Sequence, residues 1–315
     1  MEAPTPEPPP APRYVRAFPD FVAVIAQPGD TLPSLAARFL RDPSLDWWIA
    51  EFNGISNLKA GDEVIIPLKP FELGRVSSRG YQTVPVLAYH KFSKQVADRM
   101  TVREDAFEEQ MAFLKKNGYR VITLDALFDF LDHKRPIPQK SVVITFDDGW
   151  RSMYDIAYPI LKKYGYPATL FVYTDLIRPS GTTLDWAKIR EMAQNGIDIQ
   201  CHSKTHRSLG KMEDGEGLEA YFAVVKKELI ESANVIKKQL NKDVKYLAYP
   251  FGDTNSLVVS TLGTLGFRGA FTVVRSSNAF FADNYRVGRA MIYGTFDLPR
   301  FQRSLGWISD DVFQD

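Results

Sequence analysis

Val142-Val143-Ile144-Thr145-Phe146-Asp147-Asp148-Gly149 is an apolar run that ends in two adjacent carboxylates. The run has the length and composition of a parallel strand buried on both faces, and Gly149 supplies the turn that exposes what precedes it. Two unpaired carboxylates there repel each other and resist desolvation, so a cation, a strong donor or a shared proton has to lie nearby. A simple helix-capping turn also accounts for Asp-Asp-Gly. The functional reading therefore needs partners from elsewhere in the chain.

Strand and helix signals alternate on both sides of this run. Upstream, Val86-Leu87-Ala88 reads as a short buried strand ending at Tyr89-His90, followed by a helix with Phe107, Met111, Phe113 and Leu114 on one face, closed by Asn117-Gly118. A strand at Arg120 to Ile122 and a helix over Asp125 to Leu131 lead into Val142. Downstream, helices are predicted around Ala157 to Tyr164, Trp186 to Ala193, Leu218 to Leu240 and Leu257 to Leu265. Strands are predicted at Ala168 to Val172, Ile197 to Ile199, Tyr246 to Ala248 and Gly269 to Val273. This alternation over 85–315 predicts an α/β domain with a parallel (β/α) sheet, open or barrel-like, whose chemistry sits at the C-terminal strand ends. Asp147, Asp148 and His90 all fall at such ends.

The first 70 residues are organised differently. Residues 1–13 are dominated by proline and predict an extended, polyproline-like spacer within an N-terminal segment at 1–20. Over 21–70 the signals are a strand at Val22 to Ile25, a helix from Leu32 to Phe39 capped by Asp30 or Thr31, and a second helix carrying Trp47, Trp48, Ile49 and Phe52. A strand at Val64 to Ile66, stopped by Pro67, completes a small βααβ unit. Residues 71–84 show no periodicity and read as a linker.

Composition narrows the function. With 315 residues and a formal net charge of +1, the chain has no electrostatic footprint for nucleic acid or an anionic membrane. Its single cysteine, Cys201, excludes an internal disulfide. No apolar run is long enough to span a bilayer, and the N-terminus lacks the basic-then-apolar pattern of an export signal. If the protein is exported, that signal has been removed.

Two of the four histidines stand in Cys201-His202-Ser203-Lys204-Thr205-His206, just after a predicted strand. On a helical turn, an i, i+4 pair shares one face and can chelate one metal, which a carboxylate from another strand end completes into a two-histidine, one-carboxylate set. One capping and one surface histidine is the alternative for an isolated pair. Location on the same sheet as Asp147-Asp148 favours the ligand reading.

The motifs TFDDG (145–149), HSKTH (202–206) and AYPFG (248–252), in this order, resemble the first three motifs of the polysaccharide deacetylases of carbohydrate esterase family four. The resemblance covers roughly 85–315. It implies Asp147 as general base, and Asp148, His202 and His206 as ligands of one divalent ion, zinc first, with cobalt, nickel or iron as alternatives. Tyr249, Pro250 and Phe251 then belong to the substrate-binding third motif, with the Phe251 N–H facing a developing oxyanion. Amide hydrolysis also needs a general acid. No histidine follows His206, but VLAYHKF resembles the circularly permuted poly-N-acetylglucosamine deacetylases, whose acid lies on the first strand, and this implies His90. His133 reads as a surface residue.

The third motif of the family commonly opens with an arginine that pairs with the base, where this chain has Ala248. Arg289 is a candidate to reach the site from a late strand, with a surface ion pair as the alternative. Asp185-Trp186 matches the fourth motif only loosely, so Trp186 reads as packing or a pocket wall. Residues 21–70 resemble a LysM domain through PGDTL, IAEFNGI and LKAGDEVIIP, which implies binding to N-acetylglucosamine glycans such as peptidoglycan or chitin. The expectation is an exported, metal-dependent deacetylase of an N-acetylglucosamine polysaccharide. An inactive cell-wall glycan-binding protein and an O-acetyl esterase are the alternatives.

Overall fold

A computed structural model describes residues 15–69, 76, 80–179, 181–306, 308 and 309. The chain divides into two compact units, Met1–Glu72 and Leu73–Asp315. The predicted spacer at 1–13 and most of the predicted linker lie outside the described residues.

The small unit contains β1 (Val15–Ala17), β2 (Phe21–Ile25), α1 (Leu32–Leu40), α2 (Asp46–Asn53) and β3 (Glu63–Pro67). Its antiparallel sheet has the order β1-β2-β3, so the segment expected to end at residue 20 already contributes an edge strand. Thr31 and Ser34 form a reciprocal capping box at the start of α1, and Gly54 ends α2 in the left-handed conformation. Leu35, Ala36, Ile49, Val64 and Ile66 make its core. Trp47 and Trp48 are buried, so they pack rather than present a surface.

The large unit runs β4 (Tyr81–Tyr89), β5 (Lys91–Ser93), β6 (Thr101–Arg103), α3 (Glu104–Lys116), β7 (Arg120–Val121), α4 (Leu124–Leu131), β8 (Ser141–Phe146), α5 (Tyr158–Tyr164), β9 (Ala168–Val172) and α6 (Trp186–Gln194). It continues through β10 (Ile197–Cys201), α7 (Leu218–Leu240), β11 (Tyr246–Ala248), α8 (Ser256–Thr264), β12 (Gly269–Phe271), β13 (Ser277–Ala279), β14 (Ala290–Met291), α9 (Leu298–Gln302) and β15 (Ile308–Ser309). The expected linker is shorter than the sequence suggests. Gln82, Thr83 and Val84 are buried and already belong to β4, which pairs there with late strands the sequence does not reveal.

Strands β4, β8, β9, β10, β11 and β12 lie side by side, all parallel. The sheet curls, and the segment 287–292 bridges its two edges. Val287 exchanges hydrogen bonds with β12, while Ala290 and Met291 pair in parallel with Leu87 and Ala88 of β4. Successive strand residues point to opposite faces. Val142, Ile144 and Phe146 pack outward into the large core beneath α3, α5 and α7. Val86, Val143, Phe171 and Ala248 point inward, and Leu127, Phe128 and Leu131 of α4 plug that interior. By the same alternation Thr145 and Asp147 face inward, at the open end of the curl.

Candidate active site

The turn after β8 separates the two aspartates. Asp147 continues the strand, donating its N–H to Tyr89 O at 2.9 Å. Asp148 adopts φ 78° and leaves the strand path. Gly149 follows at φ 114°, a backbone conformation in which any side chain is strained. Of the seven described non-glycine residues with positive φ, four (Asp148, Ser203, His206 and Phe251) surround this one place. Such backbone costs on the order of 1–3 kcal/mol per residue and clusters where function requires it.

Asp147 meets Arg289. The guanidinium makes two parallel bonds, Nη1 to Oδ1 at 2.7 Å and Nη2 to Oδ2 at 2.8 Å, while its Nε donates to Thr272 O at 3.1 Å. Arg289 is completely buried, standing above the Phe171 ring on the segment that bridges the sheet edges. A surface ion pair is thereby excluded. The cation that Ala248 does not supply arrives from a strand about forty residues later, a fork geometry that suits arginine alone. Burial pushes the Asp147 carboxyl up, but the Arg289 charge and hydrogen bonds outweigh it and hold the group below its ordinary value of 3.8.

Asp148 meets an indole and two imidazoles instead. Its Oδ1 lies 3.6 Å from His202 Nε2 and 3.4 Å from His206 Nε2, and Trp150 Nε1 donates to its Oδ2 at 2.7 Å. One ligand atom from each of Asp148, His202 and His206 falls within 4.8 Å of the others. His202 Nδ1 donates to Ala248 O at 2.7 Å, which leaves the Nε2 lone pair facing Asp148. Burial lowers the His202 pKa and keeps the ring neutral, as a ligand requires. The donor set therefore fits a divalent ion.

The two histidines do not share a helical turn. Residues 202–206 form an irregular loop directly after β10, and left-handed backbone at Ser203 and His206 brings the rings to 4.8 Å. Tyr173 and Phe251 flank His206, with ring centroids at 4.9 and 4.8 Å.

His90 immediately follows β4, and together with Asp147, Asp148, His202, His206, Tyr249 and Phe251 it lines one cleft of about 350 Å³. Arg99, Met100, Val273, Met291 and Tyr293 complete its walls. The turn Pro250–Gly252 uses the N–H groups of Gly252 and Asp253 internally, and the Phe251 N–H takes no part in those bonds. Gly252 is required there, since a Cβ would meet Val273 Cγ2 at 2.5 Å.

Two expected substrate contacts lie elsewhere. Pro250 is buried within its turn, and Trp186 packs half-buried against the outer core while Asp185 caps α6 through Lys188 N. His133 is exposed, as expected. The residue missed is Trp150. Its position directly after TFDDG was the available signal, and its indole bonds Asp148 while Lys91 Nζ rests 3.9 Å from the ring centroid.

The polysaccharide deacetylase family profile matches residues 134–270. The poly-β-1,6-N-acetyl-D-glucosamine N-deacetylase of Staphylococcus epidermidis is 29% identical over 205 residues, spanning 64% of this chain and 70% of that protein. The solved structure of Streptococcus pyogenes deacetylase PplD in complex with acetate superposes with TM-score 0.64 at 26% identity, over 71% of this chain and 98% of that one. IcaB from Ammonifex degensii gives TM-score 0.63 at 25% identity, over the same shares. Residues 134–270 of the large unit therefore match the polysaccharide deacetylase family, and by its likeness to these deacetylases the chain is a hydrolase.

Proposed function

We propose that the protein removes acetyl groups from N-acetylglucosamine residues of an extracellular polysaccharide, releasing acetate and leaving free amines. The observation that carries this reading is the division of two adjacent carboxylates, Asp147 to a fixed arginine and Asp148 to two histidines. Asp148, His202 and His206 are the residues that would hold a divalent ion, zinc first. Such an ion supplies Lewis-acid polarisation of the amide carbonyl and a lowered water pKa.

The chain's own residues do the rest. Asp147, ionised and oriented by Arg289, takes the proton of the attacking water. The Phe251 N–H is available to the carbonyl oxygen as it gains charge. His90 gives a proton to the departing amine from the wall of the same cleft. The family relatives support linear β-1,6-linked poly-N-acetylglucosamine as the first substrate to try. The place of His90 directly after β4, ahead of TFDDG in the chain and on the wall of the same cleft, supports the permuted reading, in which the acid histidine precedes the first motif.

The small unit supplies the second half of the proposal. Its two helices between antiparallel strands, with the three LysM-like stretches, support a glycan-binding module that raises local substrate concentration. With Trp47 and Trp48 buried, its glycan contact comes from other residues. No described helix is long and apolar enough to cross a membrane, and work on an extracellular polymer requires export.

The test is acetate release by the full chain from β-1,6 poly-N-acetylglucosamine, chitooligosaccharides and peptidoglycan, with and without chelator. Chelator-sensitive release from at least one is expected. Release from none rejects the proposal, and release only from an O-acetylated glycan replaces it with esterase activity.

A further inference from the structure

The loop carrying His206 is built without the usual backbone partners. From Ser203 to His206, all four N–H groups donate to side chains. Ser203 N meets Cys201 Sγ at 3.3 Å, and His206 N meets Ser203 Oγ at 3.0 Å. Lys204 N and Thr205 N both meet Oε2 of Glu228, at 2.9 and 2.8 Å, and Thr205 Oγ1 donates to Glu228 Oε1 at 2.8 Å. One carboxylate thus accepts three hydrogen bonds from three consecutive donors of the loop.

Glu228 stands in the middle of α7 and is only 4% exposed. One turn further along, Ser232 accepts from Cys201 Sγ at 3.2 Å, so the same helix face holds the loop at its start and at its centre. The opposite side is gripped by Thr174 N and Asp175 N, which donate to Ser203 O and Lys204 O at 3.3 and 3.0 Å. Left-handed backbone at Ser203 and His206 must be over-determined by such contacts to persist. Glu228 touches neither the cleft nor a proposed metal ligand's ring.

We infer that Glu228 is the positioning residue of the metal site, holding the 203–206 loop in the one backbone path that turns His206 toward Asp148 and His202. The inference rests on the metal-site reading above. The role is one of hydrogen-bond geometry rather than charge. A glutamine fits the same pattern, with its carbonyl oxygen accepting both N–H groups and its amide donating to Thr205 Oγ1. Methionine fills the volume but accepts nothing, and aspartate keeps the charge one methylene too short.

The experiment measures zinc affinity by chelator competition, and the visible d–d spectrum of the cobalt-loaded protein, for wild type and the variants Glu228→Gln, Glu228→Met and Glu228→Asp. Far-UV circular dichroism checks that each is folded. The glutamine variant should bind zinc within a few-fold of wild type with an unchanged cobalt spectrum. The methionine and aspartate variants should weaken zinc by about 10–100-fold, the range of an outer-shell loss, and shift the cobalt bands. If methionine prevents folding, aspartate alone decides. Wild-type affinity in the folded methionine or aspartate variant overturns the inference, as does a glutamine variant as weak as the others. Wild-type protein that binds no zinc or cobalt rejects the metal site itself, a distinguishable failure.

Discussion

Asp147 and Asp148 are chemically identical neighbours, yet the surroundings of one are complete and those of the other are open. Around Asp147 the wall is strand, the partner is a buried guanidinium, and both carboxylate oxygens are engaged. Around Asp148 the wall is loop, and the partners are an indole and two imidazoles, one of them held neutral by burial. The strand ends between them: Asp147 keeps the inward register of β8, and left-handed backbone at Asp148 (φ 78°) leaves it, so the two carboxylates meet different partners at one cleft. A base needs a permanent counter-charge that leaves it ionised. A ligand needs the lack of one.

The contrast breaks most completely at Asp148. Asp148→Asn should lower zinc affinity by more than the ~100-fold that bounds outer-shell losses, and abolish acetate release. Asp147→Asn should instead retain zinc and lower kcat by about 10²–10⁴, the range for a general base. Titration of zinc against a chelator beside single-substrate kinetics separates the two, and the reverse pattern would interchange their roles.

Arg289→Met attacks the closed side. It leaves a buried carboxylate without its cation, a loss on the order of 3–5 kcal/mol. Asp147 has a depressed pKa in the folded protein, so its ionised form stabilises the fold above its ordinary value of 3.8, and that stability fades as pH falls through the folded pKa. In the variant, burial loses its main opponent and the group moves up. The gap in melting temperature between wild type and variant should therefore be widest near neutral pH and narrow toward acid, and the acid limb of kcat/KM should move to higher pH. A gap independent of pH would mean that Arg289 serves packing alone.

Trp150→Phe sharpens the open side more gently. It keeps the ring under Lys91 but removes the donor to Asp148 Oδ2. Zinc should bind about tenfold more weakly, with the fold intact. Unchanged affinity would show that the indole only fills space.

Much of this site was legible because its chemistry is local. TFDDG and HSKTH each place functional atoms within five residues of sequence, and strand–helix alternation locates both at strand ends. What was illegible depended on register or on which face a helix buries. Arg289 looked equally like a surface cation, because nothing near Tyr285–Arg289 reveals that this stretch bridges β12 and β4. Glu228 sits among Lys226, Lys227 and Glu231, and in sequence it resembles any solvated helix face. The histidine pair was placed correctly for the wrong reason. A spacing of four suits a helical turn, but two left-handed residues achieve the same ring proximity. Trp186 reads in sequence as packing or a pocket wall, and it packs at an ordinary capped helix start.

The bridging segment 287–292 has one more implication. It is among the last parts of the large unit to be synthesised, and it joins the first strand to the sixth. Until it docks, Asp147 has no buried cation beside it, and β12 and the Leu87–Ala88 end of β4 lack the partner that joins them. In the proposed mechanism the base is thus armed by completion of the fold. A nascent or partly opened chain carries both aspartates and both histidines yet is not a working hydrolase, so activity reports directly on whether the two ends of the large unit have met.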